Sequence, residues 1–169
     1  MVSWVHPTAV ESLRDAHKPA QVRFVFIGES APAGDTFFYA ANSTLYFETR
    51  AAFERAFPLQ LAARPFLEVF VALGCYLDDL CLEPVNNLPD PERQRKRTGA
   101  VASLASRLRS YDPQLIIAIG KTTAAPHVQS ALQYSGLTQV PFRTVAFPGR
   151  PAHKIVFHRE IDQILRLVS

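Results

Sequence analysis

The sequence is poor in the residues that form disulfides and metal clusters. It contains only two cysteines, Cys75 and Cys81, which are too few for a disulfide scaffold. Two thiols also cannot supply a four-cysteine zinc or iron–sulfur site within this chain. We interpret both as free, buried thiols in a reducing compartment. We expect neither a metal nor another cofactor.

Long apolar runs are missing as well. No stretch of the sequence approaches the roughly 20 apolar residues that a membrane helix needs. The N-terminal segment has no apolar core of the signal-peptide type, and Glu11, Arg14 and Asp15 come early in it. The sequence therefore predicts a cytoplasmic protein that has no membrane partner.

The remaining composition is that of an ordinary globular protein. Of 169 residues, 48% are hydrophobic and 20% are charged, which suits one domain with a substantial core and argues against extensive disorder. The net charge of +3 is compatible with a nucleic-acid partner but does not require one. With no internal repeat and no linker in the sequence, we interpret residues 1–169 as a single domain and expect a monomer.

Short apolar segments alternate with helical patterns along the chain. Strands are predicted at residues 22–27, 76–80, 115–119 and 142–147. Helices are predicted at residues 7–17, 49–57, from 61 or 64 to about 73, and at 98–111, 122–134 and 158–168. This alternation indicates a parallel sheet with helices on both faces. We predict an α/β fold, a three-layer α/β/α sandwich around a four-stranded parallel sheet, whose functional loops meet at one edge.

The stretch of residues 22–39, VRFVFIGESAPAGDTFFY, carries the strongest functional signal. The first strand is predicted to enter a tight turn at Gly28, which is followed by a carboxylate (Glu29) and a hydroxyl (Ser30). Ligands of open α/β sheets bind outside the carboxyl ends of the strands. Three consecutive aromatics at residues 37–39 cannot all face one core, so we expect at least one to line a pocket. An aromatic face stacks a nucleobase with about 1–3 kcal/mol.

Two acids, Asp78 and Asp79, lie in the second predicted strand. Neighbouring side chains of a strand point to opposite faces, so these two do not form a paired-carboxylate site by themselves. We expect one of them to reach the end of the strand and hydrogen-bond a ligand. At least one is expected to be a solvated or capping acid.

A basic run, RQRKR at residues 93–97, falls in a proline-rich stretch that is predicted to be a long loop from residue 83 to residue 97. It is either a solvated loop or a loop that contacts phosphate. Lys121 follows the third strand in LIIAIGKTT, which lacks the earlier glycine of a nucleotide-binding phosphate loop. This lysine could still face an anion at the start of the following helix.

A further histidine, His153, is predicted to lie in a loop after the last strand, between Arg150 and Lys154. In the functional interpretation it contacts phosphate or acts on a leaving group. In the alternative interpretation it is merely an exposed side chain.

In their order along the chain, these motifs resemble those of the uracil-DNA glycosylase superfamily. A strand is followed by GESAPAG and FF, then by YLDDLC with a proline-rich loop, then by LIIAIGK, and finally by AFPGRPAHK. The resemblance covers residues 22–169 and is nearest the branch whose first motif reads Gly-Glu-Ala-Pro-Gly, although that branch's iron–sulfur cysteines are missing. It implies a uracil-DNA glycosylase-like fold, DNA as the partner, and a hydrolase of base-excision repair that cleaves the N-glycosidic bond of a flipped base.

The resemblance also implies roles for individual residues. Gly28 and Glu29 match the first motif, whose acid activates or positions the water. Phe37 or Phe38 takes the stacking role, and Asp79 stands where the family usually has an Asn that reads the base edge. An ionised Asp only accepts hydrogen bonds, whereas uracil requires both a donor and an acceptor. The base that is recognised is therefore left open.

The end of the chain departs further from the family pattern. Phe147 replaces the histidine or asparagine of the last motif, and only His153 is nearby as a substitute. Together with Arg150 and Lys154, it would grip phosphates or stabilise the leaving base. Because of these departures, two alternatives stay open: a nucleic-acid or nucleobase-binding protein that does not cut, and a glycosidase of free nucleosides or another small molecule.

Overall fold

The central feature of the fold is a four-stranded, entirely parallel sheet. The computed structural model describes residues 7–168, with side chains from residue 9 onward. The strands are β1 (Phe24–Ser30), β2 (Cys75–Cys81), β3 (Leu115–Ile119) and β4 (Phe142–Val145), in the spatial order β2-β1-β3-β4. The predicted α/β class and the four-stranded parallel sheet are confirmed. β1 continues through Gly28 and Glu29, so the tight turn predicted at Gly28 is wrong.

Helices pack in pairs around this sheet: α2 contacts α7, and α5 contacts α6. This arrangement is compatible with a three-layer α/β/α sandwich. Within the described residues, no helix has the length and apolar character needed to cross a membrane. The seven helices there are α1 (Pro7–Ala16), α2 (Thr44–Ala56), α3 (Pro58–Ala63), α4 (Phe66–Ala72), α5 (Asp90–Tyr111), α6 (Ala125–Ser135) and α7 (Pro151–Val168), with a 3₁₀ turn at Phe38–Ala40.

The predicted long loop over residues 83–97 is wrong, because α5 begins at Asp90. Pro91 lies in the first turn of that helix, where its missing N–H interrupts no hydrogen bond. Asp90 and Glu92 add negative charge at the positive end of the helix dipole. The basic run at residues 93–97 is therefore helical, and its side chains project from fixed positions.

The predicted loop before the last helix is also too long. α7 begins at Pro151, so His153 lies in the first turn of a helix and not in a loop. Proline is tolerated at that position for the same reason as in α5. β4 ends at Val145, which leaves Phe147 in the short connection between β4 and α7.

The strand order places a topological switch point between β1 and β3. From β1 the chain proceeds to β2 on one side of the sheet, and from β2 it crosses to β3 on the other side of β1. The connections that leave β1 and β3 therefore diverge. In open α/β sheets the crevice between such strands, outside their carboxyl ends, is where ligands bind.

Candidate functional site

A cavity of about 350 Å³ lies at this switch point. Its wall comes from the ends of β1, β2 and β3, from the segment after β1, and from the starts of α2 and α5. It is lined by Gly28, Glu29, Ser30, Ala31, Pro32, Thr36, Phe37, Phe38, Ser43, Thr44, Leu45, Leu77, Asp79, Asn86, Arg93, Ile119, Thr123 and Phe147. A concave, largely apolar site with a few polar groups is the usual form of a small-molecule site.

The cavity brings together most of the residues that the sequence singled out. The predicted catalytic acid and all of the predicted base-contacting residues line it, namely Glu29, Gly28, Ser30, Phe37, Phe38, Asp79 and Phe147. They come from positions up to 119 residues apart in the chain, from 28 to 147. The predicted phosphate-binding residues and His153 do not line it.

The aromatic cluster after β1 is buried as a whole. Phe37, Phe38 and Tyr39 are each only 3% exposed, so the expectation that three consecutive aromatics cannot all be buried in one core is wrong. The 3₁₀ turn directs them differently: Phe38 packs against Phe70 of α4, and the Tyr39 hydroxyl bonds the backbone of Leu77. Phe37 and Phe38 still contribute to the cavity wall, which leaves them able to contact a bound ring.

Glu29 is held by two arginines of the basic run. Oε1 accepts hydrogen bonds from Nε of Arg93 and Nε of Arg97, both at 2.7 Å, and Oε2 accepts one from Nη2 of Arg93. Arg93 and Arg97 are four residues apart on α5, so they share one helix face. The run is therefore neither a solvated loop nor wholly free for phosphate. Burial alone would raise the pKa of Glu29, but the two guanidinium groups outweigh it and lower that pKa.

This lowered pKa predicts a pH dependence of stability. A carboxylate whose pKa is lower in the folded chain stabilises the fold above its usual value of 4.5 and loses that contribution as the pH falls through the folded value. The free energy of unfolding should therefore drop on acidification below about pH 4.5. Urea titrations between pH 3 and pH 6 measure this, and Glu29→Gln should make the drop shallower. Equal slopes for both proteins would contradict the assignment.

Asp79 reaches the cavity because Gly28 has no side chain. The two residues are paired in the β1–β2 register, and a Cβ at Gly28 would lie 2.5 Å from Oδ1 of Asp79. The carboxylate thus lies over the glycine at the floor of the cavity. The sequence identified both residues, but only the register of two strands shows that one makes room for the other.

Replacing Gly28 by Ala should therefore displace the Asp79 carboxylate. We expect a loss of about 1–3 kcal/mol in the free energy of unfolding, as for other overpacked interiors. Gly99→Ala is the matched control, because a Cβ at Gly99 meets nothing within 4 Å and helix propensity favours Ala by about 0.5–1 kcal/mol. Chemical denaturation of the two variants should shift in opposite directions, and a neutral Gly28→Ala would argue against the close packing.

Asp78 and Asp79 belong to a buried ionic cluster, so the expectation of a solvated or capping acid is wrong. Arg14 of α1 donates to Asp79 at 2.9 Å and lies 3.6 Å from Asp78. Arg107 of α5 is ion-paired with Asp78, which also accepts a hydrogen bond from Tyr111 at 2.8 Å. Asp78 and Asp79 are 0% and 4% exposed. Buried charges of this kind are tolerated only when they are paired.

The same arginines cover the free edge of the sheet. β2 is an edge strand, and its outward carbonyls would otherwise lack partners. Arg14 donates to the carbonyl of Leu77, and Arg107 donates to those of Asp79 and Leu80. The cluster thus fixes the strand that carries Asp79.

The remaining predicted site residues lie outside the cavity lining. His153 and Arg150 are exposed. Lys121 is ion-paired with Glu160, and Lys154 with Glu48 at 2.5 Å. Arg150, Lys121 and Lys154 thus lie at the surface. The structure does not bring His153 to the acid Glu29 in one cavity.

The sequence analysis did not identify three polar side chains of the site, those of Arg14, Asn86 and Arg93. Arg93 was predicted only as part of the basic run. Asn86 accepts a hydrogen bond from the backbone N–H of Ala33 at 3.0 Å and lines the cavity. Had a helix been predicted from Asp90, the four-residue spacing of Arg93 and Arg97 would have placed both on one helix face. No local signal connects Arg14 with Asp79, which lies 65 residues away.

Within residues 7–168, no three His, Cys, Asp or Glu side chains come together as a group that could hold a metal ion. Both cysteines are free and buried, and burial raises the pKa of the Cys81 thiol to about 11. The chain matches no protein-family model and no curated protein.

Proposed function

We propose that this chain is a uracil-DNA glycosylase-like hydrolase, which takes a flipped base of DNA into the cavity and hydrolyses its N-glycosidic bond. The main support is that an ionised carboxylate, Glu29, shares one cavity with the aromatic side chains of Phe37, Phe38 and Phe147. Ligand pockets usually measure about 300–1,000 Å³. A cavity of about 350 Å³ is near the lower limit, which suits a single nucleoside.

Glu29 would supply the charge that the reaction needs. Arg93 and Arg97 occupy three acceptor positions of its carboxylate, and a carboxylate has about four. One position on Oε2 remains for a water molecule. In the proposed reaction the bond between the sugar C1′ and the base nitrogen breaks, and its electron pair leaves with the base. The water oxygen then bonds C1′ and releases a proton. Glu29 takes that proton, or it only stabilises the positive sugar and the departing base takes the proton.

Arg93 would act on the departing base. It lines the cavity, and its Nη1 donates no hydrogen bond to any of the residues that the structure describes. A fixed cation that faces the cavity stabilises negative charge as it develops on the leaving group. Arg93 would thus stabilise the departing base, which His153 cannot do from outside the cavity lining.

A cleavage screen with the whole chain tests the proposal. Labelled single- and double-stranded oligonucleotides would each carry one uracil, hypoxanthine, xanthine, mismatched thymine or ordinary base. Alkaline strand scission reports abasic sites. We expect abasic product for at least one base, and its absence from every lane would refute DNA base excision. Base release from free nucleosides alone would support the small-molecule glycosidase instead.

One observation favours the second candidate, a protein that binds a base or nucleic acid without cutting it. Among residues 7–168, no histidine lines the cavity, and two ion pairs already engage Glu29. A gel shift run beside the cleavage screen separates the candidates. Retarded DNA without abasic product in any lane would support binding alone.

A further inference from the structure

Asp79 presents an unused hydrogen-bond acceptor to the cavity. The residue is 4% exposed and lines the cavity wall. Its Oδ2 accepts a hydrogen bond from Arg14 at 2.9 Å, whereas Oδ1 lies over Gly28 and accepts none from the described residues. This oxygen is therefore free to accept a hydrogen bond from a ligand that enters the cavity.

The ion pair with Arg14 fixes the form of this acceptor. Arg14 contacts Asp79, Asp78 and the partly exposed Glu11, while Arg107 pairs with Asp78. The pKa of Asp79 is raised, because burial outweighs the opposing effect of the adjacent Arg14 guanidinium. Arginine stays charged in proteins and only donates hydrogen bonds, so its contact with Oδ2 at 2.9 Å stabilises the ionised form of Asp79. An ionised Asp79 accepts hydrogen bonds and cannot donate one.

We propose that Asp79 selects a heterocycle that carries an exocyclic amino group over its counterpart with a carbonyl at the same position. This inference rests on the proposed base-binding role of the cavity and names the class of base. An amino group donates to Oδ1 in a charge-assisted hydrogen bond. A carbonyl oxygen placed there would face a carboxylate oxygen and leave both without a donor.

Other polar groups of the cavity complement this acceptor. The Oδ1 atom of Asn86 accepts a hydrogen bond from Ala33, so its amide nitrogen is oriented to donate. Arg93 also lines the cavity, and its guanidinium group only donates hydrogen bonds. Carbonyl oxygens and ring nitrogens of a ligand therefore have donors elsewhere in the cavity. Among the described residues that line it, only Asp79 and Glu29 supply carboxylate acceptors.

Binding of matched nucleosides to the wild-type chain tests the inference without requiring catalysis. Each pair differs at the amino position: deoxycytidine and deoxyuridine, deoxyadenosine and deoxyinosine, deoxyguanosine and deoxyxanthosine. Dissociation constants are measured by ligand-observed NMR. Whether the cavity accepts purines, pyrimidines or both, the comparison is made within each pair that binds. There we expect the nucleoside with the amino group to have a dissociation constant at least about tenfold lower, as for a base-edge contact. Equal affinities, tighter binding of the carbonyl member, or no binding at all would overturn it.

A variant tests whether Asp79 is the group that discriminates. Asp79→Asn exchanges the carboxylate for an amide that both donates and accepts, so the preference within a pair should fall towards equality. Asp162→Asn, on the surface of α7 and ion-paired with Arg55, should keep the wild-type ratio. An unchanged ratio in folded Asp79→Asn would overturn the assignment, and the wild-type ratios decide the matter if that variant does not fold.

The two proposals can fail separately. Discrimination within the nucleoside pairs, without abasic product in the cleavage screen, would support the role of Asp79 and refute hydrolysis. Abasic product together with equal affinities would support hydrolysis and refute the role of Asp79.

Discussion

Replacement of Glu29 by Gln is expected to slow base release by about 10²–10⁴-fold, the usual contribution of a positioned acid–base group. The amide can neither accept a proton from water nor stabilise a cationic sugar by charge. The side chain keeps its size, so the shape of the cavity is preserved. Single-turnover rates on whichever oligonucleotide the wild-type chain cleaves give the comparison.

Folding and binding must be separated from chemistry in this experiment. Glu29→Gln leaves Arg93 and Arg97 without a counterion, so its unfolding midpoint and its DNA affinity are measured beside the rate. Glu54→Gln is a suitable control, because that acid is ion-paired with Arg50 on the exposed face of α2. Cleavage at the wild-type rate by folded Glu29→Gln would remove this residue from the mechanism.

The sheet and its functional edge could be predicted because buried parallel strands have a simple sequence pattern. Leu115–Ile119 is continuously apolar, and the prediction matches β3 residue for residue. Strand ends that collect polar groups then point to one edge of the sheet. Glu29, Asp79 and Phe147 each lie at or beyond such a strand end, and all three line the cavity.

Helix starts were harder to predict because proline has two meanings. It breaks a helix in the interior but suits the first turn, and both α5 and α7 begin with proline in that turn. Because Pro91 was interpreted as a loop residue, Arg93 was not predicted to lie on a helix. Because Pro151 was interpreted in the same way, His153 was predicted to lie in a loop. The sequence around each proline contains both turn-forming and helix-forming residues, so tertiary contacts decide whether the segment forms a turn or begins a helix.

Long-range ion pairs could not be predicted at all. Arg93 meets Glu29 across 64 residues, and Arg14 meets Asp79 across 65. Each arginine lies on a helix whose own sequence gives no reason for a buried partner. The position of a carboxylate in the cavity therefore depends on how α1 and α5 pack against the sheet, which residue spacing does not encode.

Arg14→Met should have the largest effect on stability of any change considered. Arg14 is 2% exposed and contacts Asp78, Asp79 and the carbonyl of Leu77. Removal of one partner from a buried ion pair leaves an uncompensated charge and typically costs about 3–5 kcal/mol. A domain has only about 5–15 kcal/mol in total, so a substantial unfolded fraction is expected near 37 °C. Urea denaturation followed by circular dichroism measures the change.

Arg50→Met is the control, since Arg50 is also a helical arginine in an ion pair but its side chain is 48% exposed. Exposed pairs of this kind contribute about 0.3–0.5 kcal/mol. If the loss in Arg14→Met comes from the unpaired carboxylate, then adding Asp79→Asn should recover part of it, because Asp78 and Arg107 remain as a balanced pair. A loss no larger than that of Arg50→Met, or a double variant less stable than Arg14→Met, would show that Arg14 does not neutralise Asp79. The acceptor at the cavity floor would then not be held as an ion by α1.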